Sequence, residues 1–220
     1  FMAAEKETLV DGIKIPNYEI INENSYLMEF FSGLPMSQEV STIPLHIVLS
    51  QVEIWSIIPS NSIGTWDDYL ERLESHVKIS NSKIMIETMG WVEKQKPLPN
   101  SFCHGDYTLE NILINEKEIC LIDPNYEPTL FQSHILDLGK LLQSTLFDYH
   151  NRFSSYGGIS LKSHKELILK YLDKKDILRE SILAYITHIM RLRKYRPPHQ
   201  QLEVDDYLLG KDYENYLLDL

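Results

Sequence analysis

The run Cys103-His104-Gly105-Asp106-Tyr107-Thr108-Leu109-Glu110-Asn111 sets an aspartate five residues before an asparagine, and a second aspartate, in Ile122-Asp123-Pro124, follows twelve residues later. The apolar stretches 111–114 and 119–123 flank the polar turn Asn115-Glu116-Lys117-Glu118 and predict a β-hairpin. Asn111 opens its first strand and Asp123 closes its second, so antiparallel pairing returns both to one end, with the strands about 4.8 Å apart. An amide oxygen and a carboxylate are hard ligands suited to Mg²⁺, which takes one or two protein carboxylates together with phosphate oxygens and water. The metal is therefore expected to arrive with a nucleotide. Asp106, on the loop before the hairpin, is expected near that metal, where it accepts a hydrogen bond from an attacking hydroxyl. Phosphoryl transfer needs this kind of site, because positioning the nucleophile and neutralising phosphate charge supply most of its catalysis. His104 is expected to orient the loop through its ring and not to act as a base.

The same residues, His104-Gly105-Asp106, Asn111 and Ile122-Asp123-Pro124, resemble the Brenner-type motif of the aminoglycoside phosphotransferase and choline kinase family, which shares the protein-kinase-like fold. Five fixed identities at fixed spacing arise by chance in about one chain in ten thousand of this length, so the motif outweighs the bland alternative of a turn aspartate and two strand-end residues. The resemblance implies ATP and Mg²⁺ as cofactors, Asp106 as base with His104 supporting it, and Asn111 and Asp123 as metal ligands. Tyr26-Leu27-Met28-Glu29-Phe30-Phe31-Ser32-Gly33 resembles the family's hinge. That implies adenine held by the Glu29 carbonyl and the Phe31 amide, with Met28 lining the back of the pocket. Leu136-Asp137-Leu138-Gly139-Lys140-Leu141 resembles the helix start after the metal loop, where an aspartate, here Asp137, supports the catalytic loop.

The resemblance also implies a phosphate-covering loop and a phosphate-gripping lysine paired with a helix glutamate, and the chain begins too late for the first two. Glu5 is the best match to that glutamate and Glu7 the second; both also read as solvated helix charges. The implied activity is ATP-dependent transfer of the γ-phosphate to a hydroxyl of a small molecule: a sugar, an amino alcohol or an aminoglycoside-like compound. The alternative is a catalytically silent nucleotide-binding or regulatory module. A protein-substrate kinase ranks third, since no segment matches the DFG and APE landmarks of an activation loop.

The elements that must position these residues read as a few strands followed by many helices, an α+β order. Ile13, Ile15 and Tyr18 to Ile21, then Tyr26 to Phe31, form two short strands around Asn22-Glu23-Asn24, and 1–9 reads as the tail of a helix. From Pro44, Leu45, Val48, Leu49, Val52 and Trp55 follow helical spacing. Thr65 with Asp68 signals the next helix start, carrying Trp66, Tyr69, Leu70, Leu73 and Val77, and a third helix covers about 81–95. Beyond the hairpin, helices are expected at about 133–148, 163–173 opened by a capping box Ser163-His164-Lys165-Glu166, 175–194, and 203–218. Under the resemblance, 1–31 is a partial N-terminal lobe with the hinge and 32–220 the mainly helical catalytic and acceptor-binding lobe.

A net charge of −11, from 32 acidic against 21 basic residues, gives no electrostatic support for nucleic acid as a partner. No stretch approaches the ~18 to 20 apolar residues of a membrane helix, and the two cysteines, Cys103 and Cys120, read as buried thiols of a reduced, cytoplasmic protein. Arg191, Arg193, Lys194 and Arg196 cluster at a helix end, where they contact an anionic substrate or simply complement the helix dipole. Asp67, Asp68, Glu71 and Glu74 form an acidic stripe that receives a cationic amine or is an ordinary solvated face. Tyr149, His150, Tyr156, Gly157 and Gly158 are positional candidates for the acceptor pocket. The sequence leaves the acceptor and the oligomeric state open.

Overall fold

The computed structural model describes residues 9–22, 25–125, 127–153 and 159–211; Glu5, Glu7 and the other residues of 1–8 lie outside it. Strand β1 (Ile13–Lys14) is followed by the antiparallel pair β2 (Tyr18–Asn22) and β3 (Ser25–Met28), in which Tyr18 faces Met28 and Asn22 faces Ser25. The expected hairpin is present. It ends at Met28, however, and Ile13 is not part of it. Strand β1 instead joins the second hairpin, β5 (Ile112–Ile114) and β6 (Ile119–Leu121), pairing parallel to β6, with Ile13 opposite Ile119 and Lys14 opposite Cys120. Gly12 makes the approach possible: its carbonyl accepts from the Ile119 amide at 2.8 Å, with φ at +87°. Strand β4 (Leu34–Pro35) flanks β5 antiparallel, so among the described residues the larger sheet runs β1-β6-β5-β4. Pro35 is tolerated because β4 is an edge strand.

Around this sheet the chain is helical. Helix α1 (Ile43–Ser56) buries Leu45, Val48, Leu49, Val52 and Trp55, the predicted face, and carries Pro44 in its first turn, where the missing N–H costs nothing. Helix α2 (Trp66–Ser80) starts at the predicted capping box: the Asp68 amide donates to Thr65 Oγ1 at 3.1 Å, and the Thr65 amide donates to Asp68 Oδ2 at 2.7 Å. An aspartate thus reaches the partner position that glutamate usually fills. Helix α3 (Lys83–Val92) follows. After β6 come α4 (His134–Thr145), α5 (Tyr149–Phe153), α6 (Lys162–Lys174), α7 (Leu178–Lys194) and α8 (Pro198–Gly210).

Helices α4 and α7 are buried on nearly every side and form the centre of the helical layer. At Gly139 a Cβ would lie 2.8 Å from the Ala184 carbonyl carbon, so the two backbones touch. Helix α3 is shorter than the expected 81–95 and α7 starts at Leu178 rather than 175, and three further boundaries differ for identifiable reasons. Helix α4 stops at Thr145, because Asp148 adopts a left-handed φ of +57° and restarts the chain as α5. Helix α6 begins one residue before Ser163, at Lys162, with Leu161 as its N-cap and no side-chain cap, so the Ser163 capping box does not form. Leu161 is buried, and burying it sets the start of the helix ahead of the local polar signal. Helix α8 opens at Pro198 rather than at about 203, as a proline at the first helical position permits; residues 212–220 lie outside the described chain. Both cysteines are free and buried. Among the described residues no helix is long and apolar enough to cross a membrane.

Candidate active site

The predicted hairpin forms in register: Ile112 pairs with Leu121, Leu113 with Cys120 and Ile114 with Ile119. Asn111 ends a 3₁₀ turn (Leu109–Asn111) that leads into β5, and its carbonyl accepts from the Ile122 amide at 3.0 Å. This bond extends the ladder one step and sets Asp123 beside Asn111. Asp123 is exposed and takes a left-handed φ of +52°, a conformation open to a short polar side chain.

Asn111 is also bonded to Asp106. Its Nδ2 donates to Asp106 Oδ2 at 3.0 Å and to the Asp106 carbonyl at 2.9 Å. On the other side of the carboxylate, Lys140 Nζ lies 2.9 Å from Oδ1. Each carboxylate oxygen is thereby fixed by one donor and keeps further acceptor capacity, since an ionised carboxylate has about four lone-pair positions. With Nδ2 engaged, Oδ1 is the Asn111 atom left to meet a cation.

Three residues of α4 clamp this loop. Asp137, fully buried, accepts the His104 amide at 2.6 Å and the Gly105 amide at 2.9 Å. Lys140, three residues on, holds Asp106, and Ser144, a further turn along, accepts the Leu109 amide on Oγ at 3.1 Å. The spacing 137, 140, 144 places all three on one helix face. Burial pushes the Asp137 carboxyl up to about 7, against the pull of the two amides and Lys140. Asp137 thus supports the loop as the resemblance implied; Lys140 and Ser144 carry a helical spacing from Asp137 that sequence reading left unused.

Gly105 is the tightest point. Its φ is +85°, and a Cβ there would strike the Asn125 carbonyl oxygen. The Asn125 amide in turn donates to the His104 carbonyl at 2.9 Å. The loop bearing Asp106 and the segment after Asp123 are therefore held backbone to backbone. His104 is buried between Trp55 and Tyr107, stacked at 25° to the Trp55 ring with 6.4 Å between centroids. Its Nδ1 accepts from the Asp106 amide at 3.4 Å. Burial lowers its pKa to about 4, so the ring is neutral near pH 7 and serves as a loop post.

The hinge residues stand apart from this bonded group. Met28 ends β3, and Glu29 is exposed, its amide donating to the Asn17 carbonyl at 2.8 Å and its carboxylate accepting from Asn17 Nδ2 at 2.8 Å. Phe31 is buried beneath the Lys14 ammonium, 4.9 Å from the ring centroid, and its carbonyl accepts from Gly33. Lys14 bridges Glu118 at 3.1 Å and Glu29 at 4.0 Å, which ties the hinge segment to the hairpin turn.

Beside the loop that bears Asp106 lies a cavity of about 130 Å³ between α2, α7, Asn125 and the segment 127–132; Gly105 and Asn125 form part of its wall. Tyr149 does not line it, packing instead on Phe153 and accepting from Arg196. The His150 side chain and Tyr156, Gly157 and Gly158 lie outside what the structure describes. The acidic stripe is an outer face: Asp67 and Glu71 are exposed, Asp68 is the cap of α2, and Glu74 pairs with Lys78 at 2.8 Å.

No curated protein matches this chain. Residues 59–142 match the family model of the phosphotransferase enzyme family, the aminoglycoside phosphotransferase and choline kinase-like group. The matched segment contains His104, Asp106, Asn111, Asp123, Asp137 and Lys140, so the family read from the motif is borne out where the bonded site lies.

Proposed function

We infer that this phosphotransferase-family chain moves the γ-phosphate of ATP to a hydroxyl of a small molecule. The observation that carries the reading is the bonding of Asp106 to both Asn111 and Lys140, one hairpin step from Asp123. Two hard oxygen donors and a separate, oriented carboxylate meet at one end of a hairpin.

The donor set fits Mg²⁺. An amide oxygen of Asn111 and the exposed Asp123 carboxylate, which makes no hydrogen bond among the described residues, are the ligands this ion takes alongside phosphate oxygens. When bound, the ion neutralises charge on the transferring phosphoryl group. The chain's own residues do the rest. Asp106 accepts the hydroxyl proton as the acceptor oxygen bonds to the γ-phosphorus; the bond from that phosphorus to the bridging oxygen breaks, and ADP departs with its electrons. Lys140 and Asn111 hold the carboxylate in the attitude this requires. Adenine lies against Met28, with the Glu29 carbonyl and the Phe31 amide on its edge.

The test is the thermal midpoint with Mg²⁺-ATP, with ATP plus EDTA, and in Asp123→Ala, followed by ADP release across a panel of hydroxylated acceptors. At a hundredfold excess over Kd, binding adds about 2.7 kcal/mol, or about 5 to 10 °C for a domain of this size. A metal-dependent shift lost in Asp123→Ala, with ADP release lost in Asp106→Asn, supports the reading. A shift without turnover of any acceptor would make the chain a nucleotide-binding module, and loss of binding in Asp106→Asn as well would make Asp106 structural.

A further inference from the structure

The basic cluster at the end of α7 is split by the fold. Arg193 turns toward α8 and forks onto Asp205, with Nε and Nη2 2.7 and 2.9 Å from its two oxygens, and Arg196 donates to Tyr149 at 2.9 Å. Arg191 and Lys194, three residues apart on one face, turn instead into the cavity beside the catalytic loop. Arg72 of α2 meets them there. None of these three cations is within ion-pair distance of a carboxylate among the described residues, although the chain carries a net charge of −11.

The cations act on one point. His76 on α2 accepts a contact from Lys194 Nζ at 3.1 Å, and its pKa is lowered by burial and then by Lys194, Arg191 and Arg72. Arg191 lies over the Tyr69 ring at 5.9 Å, and His188, one turn before it, is buried. Two acids share the rim, Asp68 and Glu127. Both are exposed, as are Arg72 and Lys194, and both are engaged elsewhere, Asp68 with Thr65 in the cap and Glu127 with Thr129. Like charges gathered with no carboxylate in ion-pair reach repel one another, and a bound oxyanion reduces that repulsion through charge-assisted hydrogen bonds.

We propose that this cavity recognises the acceptor by an oxyanionic group, so that the substrate is a hydroxylated metabolite bearing a phosphate or carboxylate held by Arg72, Arg191 and Lys194. Gly105 and Asn125 in the same wall stand one residue from Asp106 and two from Asp123, so the far end of such a molecule is directed toward the transfer site. This rests on the function inferred above and narrows it, favouring an oxyanionic acceptor over the cationic amine that the acidic stripe suggested.

Two readouts separate this proposal from the kinase reading. The first needs no nucleotide: titrating inorganic phosphate should raise the thermal midpoint of the wild type and of the exposed-surface control Lys78→Gln, but not of Arg191→Gln/Lys194→Gln. That double variant should keep the Mg²⁺-ATP shift; loss of the ATP shift in wild type as well counts against the kinase reading alone. The second ranks acceptors: phosphorylated sugars and hydroxy acids should turn over, with the better class naming the oxyanion, ahead of neutral sugars and amino alcohols. Arg191→Gln should raise KM for the preferred acceptor about tenfold or more, and Arg191→Lys, which keeps the charge and guards against misfolding, should raise it less. Phosphate stabilising the double variant like wild type, or neutral and cationic acceptors turning over at least as well, would overturn the proposal.

Discussion

Lys140 Nζ lies 2.9 Å from Asp106 Oδ1 across 34 residues of sequence, with Lys140 less than a quarter exposed. An isolated surface pair is worth about 0 to 1 kcal/mol, so its main effect is on geometry: it fixes one carboxylate oxygen while Asn111 fixes the other. Replacing Lys140 by Met should therefore lower kcat about tenfold or more and leave KM for ATP nearly unchanged, as steady-state kinetics would show. A raised KM for ATP at unchanged kcat would assign the ammonium to phosphate binding instead.

Asp137 tests the other anchor of the loop. In Asp137→Asn one of the two acceptor oxygens becomes an amide group facing a buried N–H, which costs about 1 to 3 kcal/mol. The thermal midpoint should fall by several degrees, and activity per folded molecule should fall with it, because the Asp106 loop loses its post. Unchanged activity at reduced stability would confine Asp137 to the fold.

Gly105 joins the two halves of the site. Alanine there meets both a φ of +85° and the Asn125 carbonyl, so Gly105→Ala should destabilise by more than the ~1 kcal/mol typical of a strained backbone alone. Since relief comes only by separating the loop from the segment after Asp123, metal-dependent ATP binding should weaken in the same variant. Calorimetry on the folded fraction checks this.

Acid should destabilise the fold in a defined window. His104 and His134 have folded pKa values lowered by burial from 6.5 to about 4, and His188 lies well below 6.5. Their contribution is whole above pH 6.5 and is lost as pH falls toward 4, because the unfolded chain takes up protons first. Asp137, raised from 3.8 to about 7, works the other way: protonation favours the folded state as pH falls from 7 toward 3.8. Three histidines outweigh one carboxyl. The urea midpoint should thus drop between pH 6.5 and 4.5, and His134→Asn should flatten that slope, His104 and His134 each accounting for up to about 3 kcal/mol.

Much of the site was legible without coordinates because its parts are local. The hairpin from Asn111 to Asp123 closes through a four-residue turn and near-neighbour pairing, so spacing alone predicts that its ends meet. The Thr65–Asp68 cap is likewise complete within one helical turn. Local polarity failed where burial competed with it: Leu161, not Ser163, is the N-cap of α6, and Ile13 leaves the first hairpin to pair with Ile119. A two-residue strand has too little pattern to announce a partner more than a hundred positions away.

The sequence by itself determined the likeness to the phosphotransferase family over 59–142, the α+β order and the residues at the hairpin's end, each written in short-range spacing. Only the tertiary structure decided that Asp137, Lys140 and Ser144 grip the loop of Asp106, and that Arg191 and Lys194 line the cavity while Arg193 turns to Asp205 of α8. The packing of α7 on α4 at Gly139 and Ala184 sets the rotation of α7 about its axis, and hence which face of its basic end meets the cavity. A helical repeat tells which residues share a face, but not what that face will meet, because the partner surface is assembled from distant segments.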